Sequence, residues 1–595
     1  MCWPIRLLLL ILWPLSQAVA AEPARTAAGA IEWQPWSEGI FEQAKRENRF
    51  VPLALDAVWC HWCHVMDEIT YRDPKVIELI KARYLAVRVD QDSRPDLSNR
   101  YEYYGWPATI VFNTDGSEIV KRRGYIPPKP MASLLQAIID DPSPGPSVLP
   151  EPVVEPSEGA LGAELRAKTR ELLVTSYDAK NHGWGTVHKF LDWDVVEYCM
   201  GEAARGDREL ERMARETVAS SRRLIDPVWG GIYQYSTDGD WEHPHFEKLM
   251  QMQAEDLRIY AAAYALWKDP ADLEAAQKIR GYLRNFLTSP EGAFYTSQDA
   301  DLVPGEHAGE YFALDDAKRR KQGMPRIDRN IYARENGWAI HGLAALYAVT
   351  AERSVLDEAV RAAQWIIAHR SLEGGGFRHG EKDAAGPYLG DTVFMARAFI
   401  SLHAVTADRA WLRRAEEAVR FADARFKGDS GYVTAIGAAA LKPKPQVDEN
   451  AAMARVANLL HHYTGKAEYR RIAEHAMRFV AAPVVVDWRG IQVGANLLAD
   501  REFTSPPLHL AVVGARDDPA AEALFRAALA HPATYKRVEW WDRREGPLPN
   551  ADVPYPKLEK AGAFVCTDRA CSAPMFTPDA FADFVRRANS QAREH

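Results

Sequence analysis

The sequence predicts a multidomain protein in which an α/β domain is followed by an all-α toroid of six helical hairpins and then by a small α/β segment. Three observations predict this. A Cys-x-x-Cys motif follows an apolar run near the start, helical periodicity with recurring glycine–aromatic marks fills the middle, and short apolar strands return near the end. The predicted units are a signal peptide at 1–20, an α/β domain at 30–140, a Pro-rich linker at 141–159, the toroid at 160–503 and the last segment at 504–595.

The first twenty residues have the pattern of a secretory signal peptide. Arg6 supplies a positive start, Leu7 to Leu15 an apolar core, and Ala18-Val19-Ala20 a small-residue cleavage site. We therefore expect a periplasmic or secreted protein that is cleaved near Ala20, with an uncleaved N-terminal anchor as the alternative. No later apolar run is long enough for a membrane span, so we expect none after cleavage.

Net charge and cysteine spacing reduce the number of function classes to consider. The net charge of -9 and the lack of a basic tract make nucleic acid an unfavourable partner. In an oxidising compartment, cysteines that are close in sequence tend to form disulfides or exchange sites, and there are two such pairs, Cys60 with Cys63 and Cys566 with Cys571. Cys199 lies in an apolar run and is interpreted as a core residue.

The first domain has a readable element order. An apolar run at Phe50 to Leu55 predicts a strand, and the motif that follows it can continue as a helix through Glu68. The later predicted elements are a strand at Leu85 to Val89, a helix at Leu97 to Tyr104, a strand at Ala108 to Phe112, a hairpin partner at Ile119-Val120 and a helix at Met131 to Ile139. The order β-α-β-α-β-β-α with Cys-x-x-Cys after the first strand is that of the thioredoxin fold.

The motif itself predicts thiol chemistry. Backbone N–H groups at a helix start favour a thiolate, so we expect Cys60 to be the exposed, acidified nucleophile and Cys63 the resolving thiol. The neighbouring side chains that we expect to tune the pair are Trp59, His61, Trp62 and His64.

A proline precedes the third predicted strand, in Gly105-Trp106-Pro107. Thioredoxin-like folds place a cis-proline there against the sulfurs, and we expect Pro107 to orient the partner chain. The alternative is that Pro107 only starts a strand.

The Cys-x-x-Cys motif and the residues around it have two other interpretations. Cys60 to His64 also matches the C-x-x-C-H pattern that attaches a c-type haem. The two thiols could instead bind a metal with His61 or His64, but a structural zinc site needs four ligands and no second Cys/His cluster lies nearby. We predict no metal and no other cofactor.

The middle of the chain predicts a closed ring of hairpins. Glycine–aromatic marks recur at Gly183-Trp184-Gly185, Gly230 to Tyr233, Gly292 to Tyr295, Gly374 to Phe377 and Gly431-Tyr432. About twelve helical segments lie between them, including Met250 to Trp267, Ala271 to Phe286, Gly337 to Val349, Ser354 to Arg370, Thr392 to Val405, Trp411 to Ala424 and Ala451 to Tyr463. Twelve helices in pairs fit an (α/α)6 toroid.

Polar and aromatic residues beside these marks should gather at one mouth of the toroid. Paired carboxylates with aromatic platforms are typical of a glycoside-handling cleft. The alternative is that these residues cap helices or bond the backbone. The candidates are Trp241, His245, Glu247, Asp299, Asp301, Glu335, Asp391 and Asp448.

The last segment returns to mixed structure. We predict strands at Leu508 to Val513, Lys536 to Trp541 and Gly562 to Cys566, with a helix at Ala520 to Leu529. Cys566 and Cys571 are candidates for a structural disulfide, with a redox relay to Cys60 as the alternative.

With these residues in view, the chain resembles the spermatogenesis-associated protein 20-like thioredoxin-domain family. The motifs that carry the resemblance are Cys60 to Met66, Arg94-Pro95-Asp96, Gly105-Trp106-Pro107, Pro244 to Lys248, Ser297 to Asp301, Glu335-Asn336-Gly337 and the final Cys-x4-Cys. The resemblance implies a thioredoxin-like domain fused to a six-hairpin glycosidase-like toroid, thiol–disulfide exchange for the first part and carbohydrate binding by analogy for the second.

Our first hypothesis is an exported thiol–disulfide oxidoreductase whose toroid recruits a substrate, with a protein thiol or disulfide as partner. The second is a carbohydrate-binding or carbohydrate-active toroid with a regulatory thioredoxin module. The third is a c-type haem protein.

Overall fold

The computed structural model describes residues 30–150, 152–437, 440–567 and 571–591, so the predicted signal peptide lies outside the described residues. The strands of the first domain are β1 (Val51–Asp56), β2 (Val87–Asp90), β3 (Ala108–Phe112) and β4 (Glu118–Arg123). Its helices are α1 (Ile40–Glu47), α2 (His61–Val65), α3 (Pro74–Arg83), α4 (Pro95–Arg100) and α5 (Pro128–Asp140).

One four-stranded sheet in the order β2-β1-β3-β4 organises this domain. β1 runs parallel to β2 and antiparallel to β3, with Leu53 opposite both Val87 and Ile110. Every residue of β3 is buried, because helices pack on both faces of the sheet. The thioredoxin-like fold is thereby confirmed. Helix α3 was not predicted, although Asp73 caps it and Pro74 starts it, which is a pattern typical of a helix start.

The region from residue 160 to 504 is mostly helical. Its helices are α6 (Ala163–Thr175), α7 (Trp193–Ala204), α8 (Arg208–Ser221), α9 (Met250–Trp267), α10 (Pro270–Tyr282), α11 (Gly309–Phe312), α12 (Asp316–Gln322), α13 (Ala333–Thr350), α14 (Arg353–Arg370), α15 (Leu389–Thr406), α16 (Arg409–Phe426), α17 (Val447–Thr464), α18 (Ala467–Val480), α19 (Pro483–Trp488) and α20 (Gly494–Thr504). Its short strands are β5 (Tyr177–Asp178), β6 (Gly183–Trp184), β7 (Tyr235–Ser236), β8 (Pro244–His245), β9 (Lys248–Leu249), β10 (Ser297–Gln298) and β11 (Ile327–Asp328).

Six of these helices close an inner ring. Contacts run from α7 to α9, α13, α15, α17 and α20 and back to α7, and each inner helix packs on one outer partner, α8, α10, α14, α16, α18 or α6. The inner helices are apolar on most faces because they are covered on both sides, whereas α8, α16 and α18 are apolar on one face only. The predicted (α/α)6 toroid is confirmed.

Three inner helices, α13, α15 and α17, start earlier than the apolar periodicity predicts. Glu335 and Asn336, for example, were expected in a loop but lie in the first turn of α13. The physical reason is that Asn336 bonds the preceding loop: its Oδ1 accepts from Phe294 N at 2.8 Å, and its Nδ2 donates to Phe294 O at 3.0 Å. Asn450 makes the same pair of bonds with Tyr432. The loops that contain the glycine–aromatic marks are thus hydrogen-bonded to the inner helices.

The C-terminal segment contains β12 (Leu508–Val513), α21 (Pro519–Leu529), β13 (Lys536–Trp541), β14 (Gly562–Cys566) and α22 (Pro578–Gln591). Its sheet has the order β13-β12-β14, and Cys566 forms a disulfide with Cys571. The remaining helical turns of the chain are π segments at Met66–Thr70 and Leu283–Leu287 and 3-10 turns at Glu102–Tyr104, Arg222–Leu224 and Arg543–Glu545. Among the described helices, none has both the length and the apolar character that a membrane crossing requires.

Candidate functional site

The Cys-x-x-Cys motif lies where β1 ends and α2 begins. Cys60 caps α2 with an extended backbone, and its Sγ accepts a hydrogen bond of 3.2 Å from the backbone N–H of Cys63. The two cysteines form a disulfide. A backbone N–H that points at sulfur favours the thiolate once the pair is reduced. The local geometry therefore fits an exchange site with Cys60 as the attacking sulfur.

Both cysteines are buried, with exposed fractions of 3% for Cys60 and 4% for Cys63. The prediction that Cys60 is exposed is therefore wrong for this conformation. The reason is that Leu249 of the toroid packs on the cluster formed by the cysteines, Trp59 and Trp106. A thioredoxin-like pattern alone cannot reveal that a second domain covers the motif.

One edge of the motif stays open. Trp62 is 41% exposed and stacks on Tyr125 with ring centroids 5.8 Å apart. The open edge of the motif therefore consists of an aromatic surface rather than of sulfur.

The segment that holds Pro107 lies beside the disulfide cluster. The Trp106–Pro107 peptide bond is cis, and the rings of Trp59 and Trp106 are 5.8 Å apart. Trp59 is fixed from the other side, where its Nε1 donates to Asp92 Oδ2 at 2.7 Å. A role for Pro107 in orienting a partner chain stays a prediction.

Two toroid motifs reach the cysteines together because they pair in one small sheet. β9 and β10 are antiparallel, with Lys248 opposite Gln298. Glu247 and Asp299 follow outward from this pair on neighbouring strands. Glu247 Oε1 accepts from the backbone N–H of His61 at 3.4 Å, so the toroid contacts the first residue of α2.

Asp301 makes the central contact between the two domains. Its two carboxylate oxygens lie 2.7 Å from His61 Nδ1 and 3.0 Å from His64 Nδ1. The neighbouring backbone adds a hydrogen bond of 3.2 Å from Ala300 N to Trp59 O. The toroid thus holds the motif helix by two imidazoles and by the residue before Cys60.

Charge organises this contact. Burial raises the pKa of Asp301, but hydrogen bonds from His61 and His64 outweigh it and bring the pKa to about 2. Burial lowers the pKa of His64, while the Asp301 hydrogen bond and the charges of Asp299 and Asp301 raise it above the ordinary value. Burial raises the pKa of Asp299 to about 7. At neutral pH, Asp301 is therefore an ionised acceptor between two imidazole donors.

A second acidic group lies at the same mouth, at the start of α13 and α15. His379 Nδ1 lies 2.9 Å from Asp391 Oδ1, and His379 Nε2 lies 2.6 Å from the backbone oxygen of Asp92. Within the described part of the chain, Glu335 Oε2 and Asp391 Oδ2 are buried without a hydrogen-bond partner. Arg334 pairs with the other Glu335 oxygen at 2.6 Å.

Burial, together with the charges of Asp90 and Glu335, raises the pKa of Asp92 well above its ordinary value. The thioredoxin-like domain thus brings a carboxyl group that resists ionisation against the acidic mouth of the toroid.

Among the residues that the structure describes, two groups have ligand atoms close enough for a metal ion, within 4.8 Å of one another: His64 with Asp299 and Asp301, and His379 with Glu335 and Asp391. Histidine and carboxylate ligands suit several divalent ions. In both groups, however, the imidazole Nδ1 already lies at hydrogen-bond distance from a carboxylate. In this structure both groups are therefore hydrogen-bonded pairs of a carboxylate and an imidazole. The expectation of no metal stays a prediction.

Of the other candidates, His245 lies beside the site, with its Nδ1 3.7 Å from Glu247 Oε2, whereas Trp241 and Asp448 have other partners. Trp241 is buried, and its Nε1 donates to Asn181 O at 2.7 Å. His245 stacks on Tyr235 with ring centroids 4.4 Å apart. Asp448 pairs with an arginine, Arg489, at 2.8 Å. These contacts give Trp241 and Asp448 structural partners.

Sequence reasoning missed Asp92 and His379. Asp92 had a signal, because it follows β2, which is parallel and adjacent to β1, so both strands end at the same edge of the sheet as Cys60. His379 had none, since nothing in its neighbourhood connects it to Asp391 or to Asp92. The haem interpretation finds no geometric support, because the sulfurs are enclosed by Trp106 and Leu249 and His64 bonds Asp301.

Comparison with known proteins points to the same two parts. A family model described as "Protein of unknown function, DUF255" (Thioredox_DsbH) matches residues 19–139. Spermatogenesis-associated protein 20 of Mus musculus is 24% identical over 414 residues, 64% of this chain and 50% of the mouse protein. This chain therefore spans about half the length of that relative.

Two further similarities concern one part each. The thiol:disulfide interchange protein DsbD of Pseudomonas fluorescens is 29% identical over 108 residues, 18% of each chain. A sugar epimerase from a ruminal bacterium matches 52% of this chain and 85% of its own at 14% identity, with a TM-score of 0.41.

Proposed function

Because the chain belongs to the spermatogenesis-associated protein 20-like thioredoxin-domain family, we propose that it is a thiol–disulfide oxidoreductase whose site is gated by its own toroid. One observation carries the proposal: Cys60 Sγ accepts the Cys63 backbone N–H at the start of α2, next to a disulfide. This is the arrangement that stabilises an attacking thiolate. Similarity to a DsbD protein over 108 residues supports the same chemistry.

The exchange runs in two steps. In the reduced protein, the Cys60 thiolate attacks a disulfide of the partner, forms a mixed disulfide and releases one partner thiolate. Cys63, after losing its proton, then attacks Cys60 Sγ, so that the pair is oxidised and the second partner thiolate leaves. The dithiol loses two electrons and two protons, and the partner disulfide gains them. The reverse direction oxidises a partner dithiol.

The buried sulfurs require an opening step. A partner chain cannot reach Cys60 while Leu249 covers it and Asp301 holds His61 and His64. Beside the cysteines the contact consists of imidazole–carboxylate hydrogen bonds and a small apolar patch, and farther away it includes hydrogen bonds from Asn99 to Glu449 and from Gln446 to Glu102 and apolar contacts of Leu441. Because these contacts are mostly polar, the domains can separate without unfolding. Trp62 is exposed in the closed form and offers the first contact for a partner.

We also propose export to an oxidising compartment. The charged, apolar and small-residue order of residues 1–20 supports this, as do two disulfides in one chain. Fractionation of cells that express the full chain, with N-terminal sequencing of the product, tests it. Export predicts a mature chain that starts just after Ala20, and an unprocessed chain in the cytosol would contradict it.

The exchange proposal is tested by trapping. A Cys63→Ala variant lacks the resolving thiol, so it should accumulate mixed disulfides through Cys60 that reductant releases. Cys60→Ala is the matched control and should accumulate none. Adding Asp301→Asn to Cys63→Ala should increase the trapped fraction, because it weakens the gate. If Cys63→Ala and Cys60→Ala give equal amounts of adduct, the proposal fails.

A second candidate function is carbohydrate binding at the toroid mouth. The observation that favours it is the pair of unpartnered buried oxygens, Glu335 Oε2 and Asp391 Oδ2, since paired carboxylates are the usual equipment of sugar chemistry. A sugar could enter the mouth only after the two domains separate, because the backbone oxygen of Asp92 lies against His379 there. A glycan array with Cys60→Ala and with Asp391→Asn tests it: binding that needs Asp391 but not Cys60 favours this function.

A further inference from the structure

A cavity of about 230 Å³ lies inside the toroid, between the far ends of the inner helices and the C-terminal segment. Its walls come from the second halves of the inner helices, such as Ala265 at the end of α9, Ala348 on α13 and Ala404 on α15. The thioredoxin-like domain lies at the other end of the inner helices: Asn99 donates to Glu449 in the first turn of α17, and the backbone oxygen of Asp92 lies 2.6 Å from His379, which pairs with Asp391 in the first turn of α15. The cavity is therefore separate from the disulfide site.

The cavity has an apolar wall and a charged floor. Alanines, valines, two leucines and an isoleucine line the wall, whereas Glu197, Arg258, Arg397 and Arg455 line the floor near the middle of the helices. Half-buried alanines such as Ala404 inside an inner helix are exposed to the cavity and not to the outer surface. A ligand that fits both parts has one polar end and one apolar end.

Two N–H groups of the floor arginines have no hydrogen-bond partner among the described residues. Arg258 Nε donates to one oxygen of Glu255 at 2.7 Å, and Arg397 Nη2 donates to the other oxygen. The two guanidinium groups therefore flank one carboxylate. Arg258 is only 6% exposed, yet its Nη2 has no partner in the described structure, and the same holds for the buried Nε of Arg397. Buried N–H groups without acceptors are costly, so an acceptor is expected beside them.

The ionised groups of the floor are paired with one another. Arg258, Arg397 and Arg455 pair with Glu197, Glu255 and Glu502, and Asp194 lies 3.8 Å from Arg455. Lys536 of the C-terminal segment also lines the cavity and lies outside these ion pairs.

Among the described residues, Lys536 makes no ion pair with a carboxylate. Its Nζ donates only to the backbone oxygens of Leu529 and His531 among the described residues, and burial lowers its pKa to about 7. An anion in the cavity would supply the missing charge.

We propose that this cavity is a binding site for a monocarboxylic acid with a short apolar tail. The carboxylate lies against Arg258 and Arg397, where charge-assisted N–H···O bonds are strongest, and the tail lies along the alanine wall. An apolar cavity of ~150 Å³ holds one benzene ring. A cavity of 230 Å³ therefore holds about ten heavy atoms, the size of octanoate.

Titration calorimetry of the full-length protein with octanoate tests the proposal. We expect one site per chain and at least tenfold weaker binding of octylamine and of 1-octanol, which share the tail but lack the carboxylate. Arg397→Gln should weaken octanoate binding at least tenfold. Ala404→Phe should abolish it by filling the cavity, and Ala424→Phe, the same change on the exposed face of α16, should leave it unchanged.

Three results would overturn the site. The first is no heat of binding for octanoate with a folded wild-type chain. The second is equal binding of octanoate and 1-octanol, which would remove the role of the carboxylate. The third is octanoate binding that survives Ala404→Phe, which would place the ligand elsewhere. None of these three results depends on whether Cys60 takes part in thiol–disulfide exchange.

Discussion

Replacing Asp301 with asparagine should loosen the contact that covers the disulfide. The carboxylate accepts from His61 and His64 at 2.7 and 3.0 Å, and asparagine keeps one neutral acceptor and loses the charge. A buried hydrogen bond to a charged group contributes ~1.5–3 kcal/mol. Since ~1.4 kcal/mol is a factor of ten, the ratio of open to closed molecules should rise roughly 10- to 150-fold.

The assay is the initial rate at which a water-soluble phosphine reduces the Cys60–Cys63 disulfide at pH 6. If reduction needs the open form, the rate follows the open fraction, so Asp301→Asn should react at least tenfold faster than wild type. Asp429→Asn removes an exposed carboxylate of the toroid and is the matched control, with no expected change. An Asp301→Asn rate within twofold of wild type would refute the gate.

The remaining predictions concern pH and stability. The pKa of His64 is raised, so its contact with Asp301 is complete below the unfolded value of ~6.5 and is lost as pH rises through the folded value. The pKa of Asp301 is lowered to about 2, so its share is present above ~3.8 and is lost as pH falls towards 2. The Asp301→Asn to wild-type rate ratio should therefore fall between pH 6 and 9, and a flat ratio would count against His64. Cys571→Ser should cost about 2 kcal/mol in urea unfolding, because the disulfide closes a short loop; an unchanged midpoint would exclude a structural role. Asn336→Ala should cost about 3 kcal/mol, because Asn336 makes three buried hydrogen bonds at the start of α13, and a melting temperature equal to that of Asp429→Asn would contradict this.

Local pattern was enough to predict several elements that are buried on most faces. The strands Ala108–Phe112 and Leu508–Val513 and the helix Met250–Trp267 have the bounds that continuous apolar runs and helical periodicity give. The order of elements then gives the thioredoxin-like sheet, and the count of about twelve helical segments gives the number of hairpins. These features are determined by residues that lie close together in the sequence.

The contact between domains could not be predicted in this way. Asp301 and His64 are 237 positions apart, and nothing in either motif specifies the other. The exposure expected for Cys60 failed for the same reason, since a long-range neighbour, Leu249, covers it. Polar residues at the start of α13 were assigned to a loop because their apolar neighbours begin later, although first-turn carboxylates stabilise a helix start.

A redox titration of the purified chain in glutathione buffers, read by mass spectrometry of Cys60 and Cys63 and by circular dichroism on the same samples, tests the central claim most directly. An exchange site predicts a reversible two-electron transition of this pair while the helical signal stays constant. A pair that is reduced only when the helical signal is lost would be a structural disulfide, and the proposed oxidoreductase activity would be contradicted.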